Sequence, residues 1–579
     1  MPISTKSVLG PGLLLCLAAA ISGCGSSVSG TVPVGSAPGG GLPPTAPGST
    51  IRLTPAVQNV STPVAPAVVA DLNGDGWLET VGTANDGAGN LLPVDPSTEG
   101  LDGLLIDGRP DDLRVADFNG DGSPDLIAQG YSSTDVDTRA LLYFNDGTGH
   151  FQEGPAFAAF DFRGRGEGLV VADFNNDGYV DIFLPYYDFE PCTDPECPNA
   201  PQAYLLLNDG TGHFREAAAA AGVDFTAAPG IQPEGAEAAD IDDNGLVDLY
   251  VGGHLFLNES VDANGVPHFQ DCSCGLPAPP AQEFPGAGNR ADEGFKFLDW
   301  NNDGLLDMVV QNWGGGPPPP FGPPPPDGPT LYHNVGTATL PSFVAQSTAT
   351  DGTGHPFFST GAPDYQPVPF QSSFGLNAYD LNNDGREDII TAASGSGSPA
   401  YPATFFRNTG HDFEQLSPPD VPQLFFGQIA FGDINRDGKI DVLYSWPGFN
   451  QPYYLINQSP ARANTFVSIE MLGPTGERNQ QGRVVRVRPQ VSLGPQPVTY
   501  TRVVDGGSGY HAQSQYALLV GTPYPGPHSV SALYGNPGGG TTTVTFTMDP
   551  GQYARVFAPS AQNPGGRVLL YNQVPPPLP

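Results

Sequence analysis

The residues best placed to do chemistry stand in Asp173–Asp181, which reads Asp-Phe-Asn-Asn-Asp-Gly-Tyr-Val-Asp. Oxygen-bearing side chains occupy positions 1, 3, 5 and 9 of this nonapeptide, and Gly178 occupies position 6. Calcium is a hard cation that takes six to eight oxygen ligands, so a loop with oxygens at alternate positions can surround it. Glycine suits the sharp turn of such a loop because it tolerates positive φ. The pattern predicts a calcium-binding loop.

The same pattern occurs seven times, and we name the copies loops 1 to 7. In chain order they are Asp71–Glu79, Asp117–Asp125, Asp173–Asp181, Asp240–Asp248, Asp299–Asp307, Asp380–Asp388 and Asp433–Asp441. A single copy could equally be a solvated turn, because Asp, Asn and Gly dominate turns. Seven copies with the same positions filled favour metal binding.

The residues around the loops differ from those of an EF-hand, which needs a bidentate Glu at position 12 and a helix on each side. Position 12 is Leu184 in loop 3 and Gly82 in loop 1. Short apolar, β-branched and aromatic runs flank most of the loops, and such runs favour strands. We therefore expect each loop to join two strands of a hairpin.

The loops recur at intervals of roughly 50 to 80 residues, which is typical of propeller blades built from short strands. A second recurrent element, clearest in Leu142–Phe151 and Leu205–Phe214, contains Asn-Asp-Gly-Thr-Gly-His-Phe and predicts a further hairpin. A third is a glycine five residues before the loop, at Gly168, Gly235, Gly294 and Gly375.

These elements resemble the FG-GAP/VCBS repeats of integrin α-subunit-like β-propellers. The resemblance implies an all-β fold in which residues 56–460 form a seven-bladed propeller, with calcium loops on one rim. It implies these calcium ligands: Asp71, Asn73, Asp75, Glu79, Asp117, Asn119, Asp121, Asp125, Asp173, Asn175, Asp177, Asp181, Asp240, Asp242, Asn244, Asp248, Asp299, Asn301, Asp303, Asp307, Asp380, Asn382, Asp384, Asp388, Asp433, Asn435, Asp437 and Asp441. Loop 1 departs from the pattern by ending in Glu79, and loop 4 exchanges Asp and Asn at positions 3 and 5.

Residues 1–23 resemble a bacterial lipoprotein signal peptide, with an apolar segment that ends in Ile-Ser-Gly-Cys. That resemblance implies lipidation of Cys24, attachment to a membrane through the lipid alone, and a place in the cell envelope. The alternative is an ordinary secretory signal with an incidental cysteine. Residues 24–55 are rich in Gly, Ser and Pro and are expected to form a flexible linker.

Residues 465–558 are predicted to form a small β-domain, followed by a Pro-rich tail at 559–579. Asn479–Val484 and Gly506–Gln515 resemble the ASPIC/UnbV domain, which follows FG-GAP repeats in proteins similar to cartilage acidic protein. The domain carries six arginines against four acidic residues, whereas the whole chain has a formal charge of −39. We expect this domain to dock against the acidic repeats.

Four further cysteines, Cys192, Cys197, Cys272 and Cys274, predict disulfides in an exported protein. A Cys192–Cys197 bond would close a small loop. A Cys272–Cys274 bond would make a strained ring, so bonds between the two pairs stay open, as does a zinc site.

The strong negative charge argues against nucleic acid as a partner. The sequence contains no recognisable catalytic motif, so no catalytic residue is assigned and enzymatic activity is left open. The sequence favours an exported protein in which calcium is structural and a rigid surface binds a protein or polysaccharide. The alternatives are an extracytoplasmic polysaccharide lyase or hydrolase and a passive envelope or matrix component.

Overall fold

The computed structural model describes residues 51–55, 67–95, 97–101, 110–130, 139–154, 165–166, 168–187, 203–225, 235–272, 274–276, 292–312, 329–345, 358–359, 375–391, 403–410, 412–416, 428–445, 453–460, 465–491, 498–507, 512–537 and 539–578. These residues form an all-β structure of mostly antiparallel sheets. Within them the one helix is the single turn Ala218–Ala221. The predicted signal peptide, Cys24, Cys192 and Cys197 lie outside the described residues.

Loops 2 to 7 each connect the first and second strands of a sheet with four consecutively paired strands. Those of loops 2 to 4 are Pro110–Ala116, Asp125–Gly130, Arg139–Asn145 and Phe151–Glu153; Val170–Ala172, Asp181–Tyr187, Ala203–Asn208 and Phe214–Glu216; Ala236–Ala239, Asp248–Val251, His254–Val261 and Pro267–Cys272. Those of loops 5 and 6 are Asp292–Leu298, Asp307–Asn312, Thr330–Asn334 and Phe343–Ala345; Leu376–Tyr379, Asp388–Thr391, Thr404–Asn408 and Phe413–Leu416. Two short strands extend the sheets of loops 3 and 6, namely Arg165–Gly166 and Phe358–Ser359.

The apolar runs flanking the loops form the cores between neighbouring sheets, as their β-branched composition favours. Val170 and Phe183 of the loop 3 sheet share one buried cluster with Ala236, Leu249 and Val251 of the loop 4 sheet. Such strands are buried on both faces, which explains why they read as continuous apolar runs rather than as alternating ones.

The first strands of consecutive sheets contact one another in chain order, and that of the loop 7 sheet contacts Ala67–Val68, which precedes loop 1. The glycines before the loops allow this approach: a Cβ on Gly168 would lie 2.5 Å from the Cα of Gly235. A Cβ on Gly294 would lie 2.6 Å from the backbone nitrogen of Leu376. Four-stranded sheets whose first strands meet side by side form a propeller-like arrangement.

The sheet of loop 7 takes its fourth strand from the beginning of the described chain. It consists of Gln428–Gly432, Asp441–Ser445, Tyr453–Asn457 and Leu53–Pro55. Ile51 and Leu53 are buried in the core of this sheet. The predicted boundary of the linker at residue 55 is therefore wrong, because residues 51–55 belong to the fold and pair with the otherwise open edge of Tyr453–Asn457.

The segment around loop 1 is the least regular. The strand before the loop is reduced to Ala67–Val68 and an isolated bridge between Ala70 and Glu79, and the strands after it form the hairpin Thr83–Asn85 with Leu91–Pro93. Ala67–Val68 pairs in parallel with Ala512–Gln513, which comes from the C-terminal domain.

A recurrent buried asparagine ties neighbouring loops together. Asn208, at the end of a third strand, donates through Nδ2 to the carbonyl of Val180 in its own loop and to that of Phe118 in the preceding loop. Asn85 does the same between Leu78 of loop 1 and Ile434 of loop 7. The asparagines that reach a neighbouring loop in this way are Asn85, Asn145, Asn208, Asn258, Asn408 and Asn457.

The C-terminal domain is a sandwich of two four-stranded sheets around one apolar core. One sheet contains Phe466–Leu472, Leu518–Gly521, Tyr553–Phe557 and Arg567–Tyr571, and the other contains Val484–Pro489, Tyr500–Val503, His528–Gly535 and Thr541–Met548. The predicted end at residue 558 is too early, since Arg567–Tyr571 of the predicted tail pairs with Tyr553–Phe557. We refer to residues 465–571 as the C-terminal module.

The module docks on the repeats, which confirms the prediction drawn from its charge. Gln513 donates to and accepts from the backbone of Val115, and Val171 N–H donates to Gly506 O over 2.9 Å. Arg486 forms an ion pair with Asp243, and Arg502 pairs with Glu387. The module thus pairs with backbone groups of the first strands and with acidic side chains beside them.

The described residues contain a Cys272–Cys274 disulfide, the pairing that the sequence had disfavoured in comparison with bonds between the two cysteine pairs. Within the same residues, no helix is long and apolar enough to cross a membrane.

We expect Asn208→Ala to lower the free energy of unfolding by about 1–3 kcal/mol, because it leaves buried carbonyls of two loops without a donor. The matched control is Asn264→Ala, whose side chain is exposed in the hairpin of the loop 4 sheet. It should stay within about 0.5 kcal/mol of the parent. Denaturant melts measure both, and equal values for the two variants would contradict the bridging role.

Candidate metal centres

All seven loops share one backbone-to-carboxylate framework. The first-position carboxylate accepts the N–H of the position 6 glycine over 2.7–3.1 Å. The ninth-position carboxylate accepts the N–H of residue 2 over 2.6–3.1 Å. In loops 2 to 7 the other oxygen of the ninth residue accepts the N–H of the recurrent asparagine in the third strand, which is Asn334 for loop 5. Positions 1 and 9 therefore form the floor of each loop.

Positions 3 and 5 form the mouth of each loop through two successive side-chain turns. The position 3 oxygen accepts the N–H of residue 5 in every loop. The position 5 oxygen accepts the N–H of residue 7 in every loop. These turns hold all four predicted ligand side chains on one short segment.

Two residues of each loop have positive φ. The glycine at position 6 was expected from the sequence, and it has φ of 79–98° across the seven loops. Position 4 also has positive φ in every loop, at 56–75°, although it is Gly, Asn, Asp or Arg. Asn and Asp are enriched in this region among non-glycine residues, so their frequency at position 4 was the available signal. Arg436 in loop 7 also has positive φ, but arginine at this position does not predict it.

Loop 4 brings its acidic groups closest together. One oxygen from each of Asp240, Asp242 and Asp248 lies within 4.8 Å of the others, and all three side chains are buried. Among the described residues this is the one group of three or more acidic, histidine or cysteine side chains that meets this distance. In loop 4 the carboxylate that other loops carry at position 5 stands at position 3, as Asp242, and it is this carboxylate that lies near Asp240 and Asp248.

Several of the floor oxygens have no hydrogen-bond partner. They are Oδ1 of Asp71, Asp240 and Asp433, each at position 1, and Oε2 of Glu79 at position 9. A buried acceptor without a partner is costly, and a cation or a proton would relieve it. The donor set is entirely oxygen, which suits calcium rather than zinc or copper. The residues present therefore fit a calcium ion.

Burial raises the pKa of these carboxyl groups. It raises the pKa of Asp125 to about 8, of Asp240 to about 7 and of Glu79 to about 9. After burial, the next largest influence on the pKa differs between the two sites. The charge of Arg483 lowers the pKa of Asp240, whereas the charge of Asp71 raises that of Glu79 further. Ionised carboxylates at these positions are thus unfavourable unless a cation accompanies them.

Loop 1 differs from the rest in the charges around it. The Arg436 guanidinium stacks on Trp77 at 3.9 Å from the ring centroid, and Arg478 lowers the pKa of Asp71 against the larger effect of burial. Glu79 accepts the N–H groups of both Leu72 and Asn73 with one oxygen, as Asp441 does with Ile434 and Asn435 in loop 7. Two arginines accordingly supply part of the positive charge that a cation would supply elsewhere.

The main feature that the sequence reasoning missed is the recurrent asparagine. It directly precedes Asp-Gly in the hairpin Leu205–Phe214, where it reads as an ordinary turn residue. Its reappearance at Asn258 and Asn457, where Asp-Gly does not follow, was the signal available.

Comparison with known families identifies a repeat family in two parts of the chain. An FG-GAP-like repeat family matches residues 117–184 and 380–444, which contain loops 2 and 3 and loops 6 and 7. No curated protein matches the sequence.

Solved structures show remote likeness at low sequence identity. The sialidase of Trypanosoma rangeli, in complex with sialic acid, is 10% identical, with 80% of this chain and 92% of that chain covered and a TM-score of 0.32. The V. cholerae biofilm matrix protein Bap1 is 11% identical, with 95% and 90% covered and a TM-score of 0.23. A Bombyx mori GH32 β-fructofuranosidase is 10% identical, with 77% and 83% covered and a TM-score of 0.24. From its repeat match and its sheets, the chain is an all-β, propeller-like protein with FG-GAP-like repeats.

Proposed function

We propose that the chain is an exported binding or adhesion protein whose seven sheets close into a calcium-stabilised β-propeller. Export would proceed through the signal at residues 1–23, with lipidation of Cys24 holding the protein at the cell envelope. The module would be an ASPIC/UnbV-like domain. The ligand would be a protein or a polysaccharide, and calcium would be structural.

Three features support closure into seven blades. The first strands contact one another in order, from Ala67–Val68 to Gln428–Gly432, and these two are themselves in contact. Leu53–Pro55 completes the sheet of loop 7, so the two ends of the repeat region share one blade. Asn85 links loop 1 to loop 7 as the other asparagines link successive loops.

The observation that carries the calcium proposal is the set of buried, unpaired first-position oxygens at Asp71, Asp240 and Asp433. Each lies in a loop that also offers oxygens at positions 3, 5 and 9. Asp240, Asp242, Asn244 and Asp248 would hold the ion in loop 4. Extracellular calcium modules bind with dissociation constants of about 10⁻⁴–10⁻³ M, so ambient calcium outside the cytosol would fill such sites.

The partner surface follows from the position of the module. The module contacts the loop end of the sheets, for example through Arg486 with Asp243 and through Gly540 N–H with Asn244 O. In the loop 4 sheet the second strand runs from Asp248 at the loop to Val251, which pairs with His254 at the opposite end. We assign partner binding to that end, which a calcium-stabilised ring would hold rigid.

Full-length protein in calcium should bind an immobilised polysaccharide or protein ligand, lose binding in EGTA and regain it when calcium is restored. A glycan array and a pull-down from envelope material are the measurements. Turnover of a polysaccharide that is lost on mutating an acid outside the loops would instead make the protein an enzyme.

We expect the effect of Asp242→Asn on the free energy of unfolding to depend on whether calcium is present. In EGTA it should be close to neutral, because removing one of three clustered carboxylates offsets the lost hydrogen bond from Asn244 Nδ2, while an oxygen remains for Asn244 N–H. In calcium at ten to one hundred times the dissociation constant, it should forfeit up to about 1.4–2.7 kcal/mol of stabilisation. Thermal melts with and without calcium measure this.

The matched control is Asp262→Asn, an equal charge change at an exposed turn of the same sheet. Its effect should be small and the same in both conditions. If Asp242→Asn behaves like this control, the charge of Asp242 does not contribute to calcium binding in loop 4.

We expect metal-free protein to lose stability as pH rises from about 4 to 8. The folded pKa of Asp125 is about 8 and that of Asp240 about 7, both above the ordinary value of 3.8. The folded state therefore binds more protons than the unfolded state in this window, so raising the pH disfavours folding. Calcium competes with those protons, so the difference in Tm between calcium and EGTA should widen with pH. A difference that narrows instead would contradict the proposal.

A further inference from the structure

We propose that cation binding by loops 3 to 6 controls the docking of the C-terminal module, so that the module is seated only when these loops are closed. This inference rests on the proposed calcium sites. It adds a regulated contact between two parts of the chain.

The carrying observation is a repeated contact at the position 6 glycine. In four consecutive loops the carbonyl of this glycine accepts a hydrogen bond from a side chain of the module. The pairs are Asn479 with Gly178, Arg483 with Gly245, Arg486 with Gly304 and Arg502 with Gly385. The N–H of the same glycine donates to the first-position carboxylate. One peptide segment thus links the proposed metal ligand to the module.

The module also contacts position 4, the other residue with positive φ. Arg486 pairs with Asp243 at 2.9 Å, and Arg483 donates to the side chain of Asn176. Thr499 N–H donates to the carbonyl of Asn302 over 3.0 Å. All three acceptors belong to position 4 residues in the left-handed conformation, with φ of 57–58° at Asn176, Asp243 and Asn302.

Two contacts reach the loops still more directly. Thr501 N–H donates to Oδ2 of Asp299, the first-position ligand of loop 5, over 3.2 Å. Gly540 N–H donates to the carbonyl of Asn244 at position 5 of loop 4, over 2.9 Å. Opening either loop would leave these module amides without their acceptors.

The three arginines donate to glycine carbonyls and position 4 side chains, although Arg483 and Arg502 also lie near enough to Asp240 and Asp380 to lower the pKa of those carboxyls. The module therefore recognises the shape of the closed loop and not only its negative charge. Because the module recognises loop shape, we expect calcium to favour docking and its removal to weaken docking. Removing calcium makes the loops more negative, which would attract arginines, but it removes the arrangement of acceptors that the module fits.

Thermodynamic linkage makes the coupling reciprocal, because a docked module must favour calcium binding by the same factor as calcium favours docking. Couplings between two sites are typically about 5- to 150-fold. A change of this size is measurable from either side.

The test is amide hydrogen exchange of the full-length protein in calcium and at limiting calcium, with calorimetric calcium titration of the same sample. Removing calcium should speed the exchange of Thr499, Thr501 and Gly540, the amides that cross the interface, by roughly 5- to 150-fold. Amides of Tyr553–Phe557, inside the module, should change less if the module undocks as a folded unit.

Arg486→Ala at saturating calcium should speed the same three amides and weaken calcium binding. Arg567→Ala is the matched control, since Arg567 stacks on Phe557 within the module at 3.7 Å from the ring centroid. Asp243→Asn provides a second variant at a residue that tolerates positive φ, and its effect should not add to that of Arg486→Ala.

The two proposals fail in different ways. If calorimetry detects no calcium binding, the calcium sites themselves are wrong. If calcium binds and raises Tm while the three interface amides exchange equally with and without it, the sites stand and the coupling is wrong.

Discussion

The structure depends on burying carboxylates at positions 1 and 9 of each loop. Their oxygens accept N–H groups from the loop and, in six of the loops, from the recurrent asparagine of the third strand. This arrangement satisfies backbone donors at the crowded turn between two strands. It also concentrates negative charge where water is excluded, so it needs protons, arginines or a cation to balance it. Asp125 and Asp240, whose pKa values lie at about 8 and 7, show how strongly burial disfavours the bare anions.

Residues other than the predicted metal ligands connect the separate hairpins to one another. Asn208 and its counterparts donate to the carbonyl of a preceding loop, so six of the seven loops are held by the sheet that follows them. Glycines such as Gly168 let the first strands approach until their backbones touch. At the loop itself, the position 6 glycine serves two neighbours at once, because its N–H binds the floor carboxylate while its carbonyl is left for the module or an adjacent loop. The repeats are therefore regular because each loop shares equivalent hydrogen bonds with its neighbours.

The module interrupts this regularity at one end of the sheets. It contributes arginines to a strongly acidic chain, and it pairs Ala512–Gln513 with the short strand before loop 1. That strand belongs to the least regular repeat, where Glu79 replaces Asp and where Arg436 and Arg478 lie beside the acidic groups. The module thus supplies both a strand and an arginine to the irregular repeat around loop 1.

The sequence by itself determined the local chemistry: seven loops, the oxygen-bearing positions, the turn at position 6 and the strands on either side. These follow from interactions within about ten residues, which side-chain type and spacing specify directly. It also indicated docking of the module from charge. Only the tertiary structure decided that residues 51–55 belong to the last sheet, that Arg567–Tyr571 extends the module, and that buried asparagines link the loops. Each of these depends on an unpaired strand edge or carbonyl brought close by distant parts of the chain, and no local pattern encodes which partner will satisfy it.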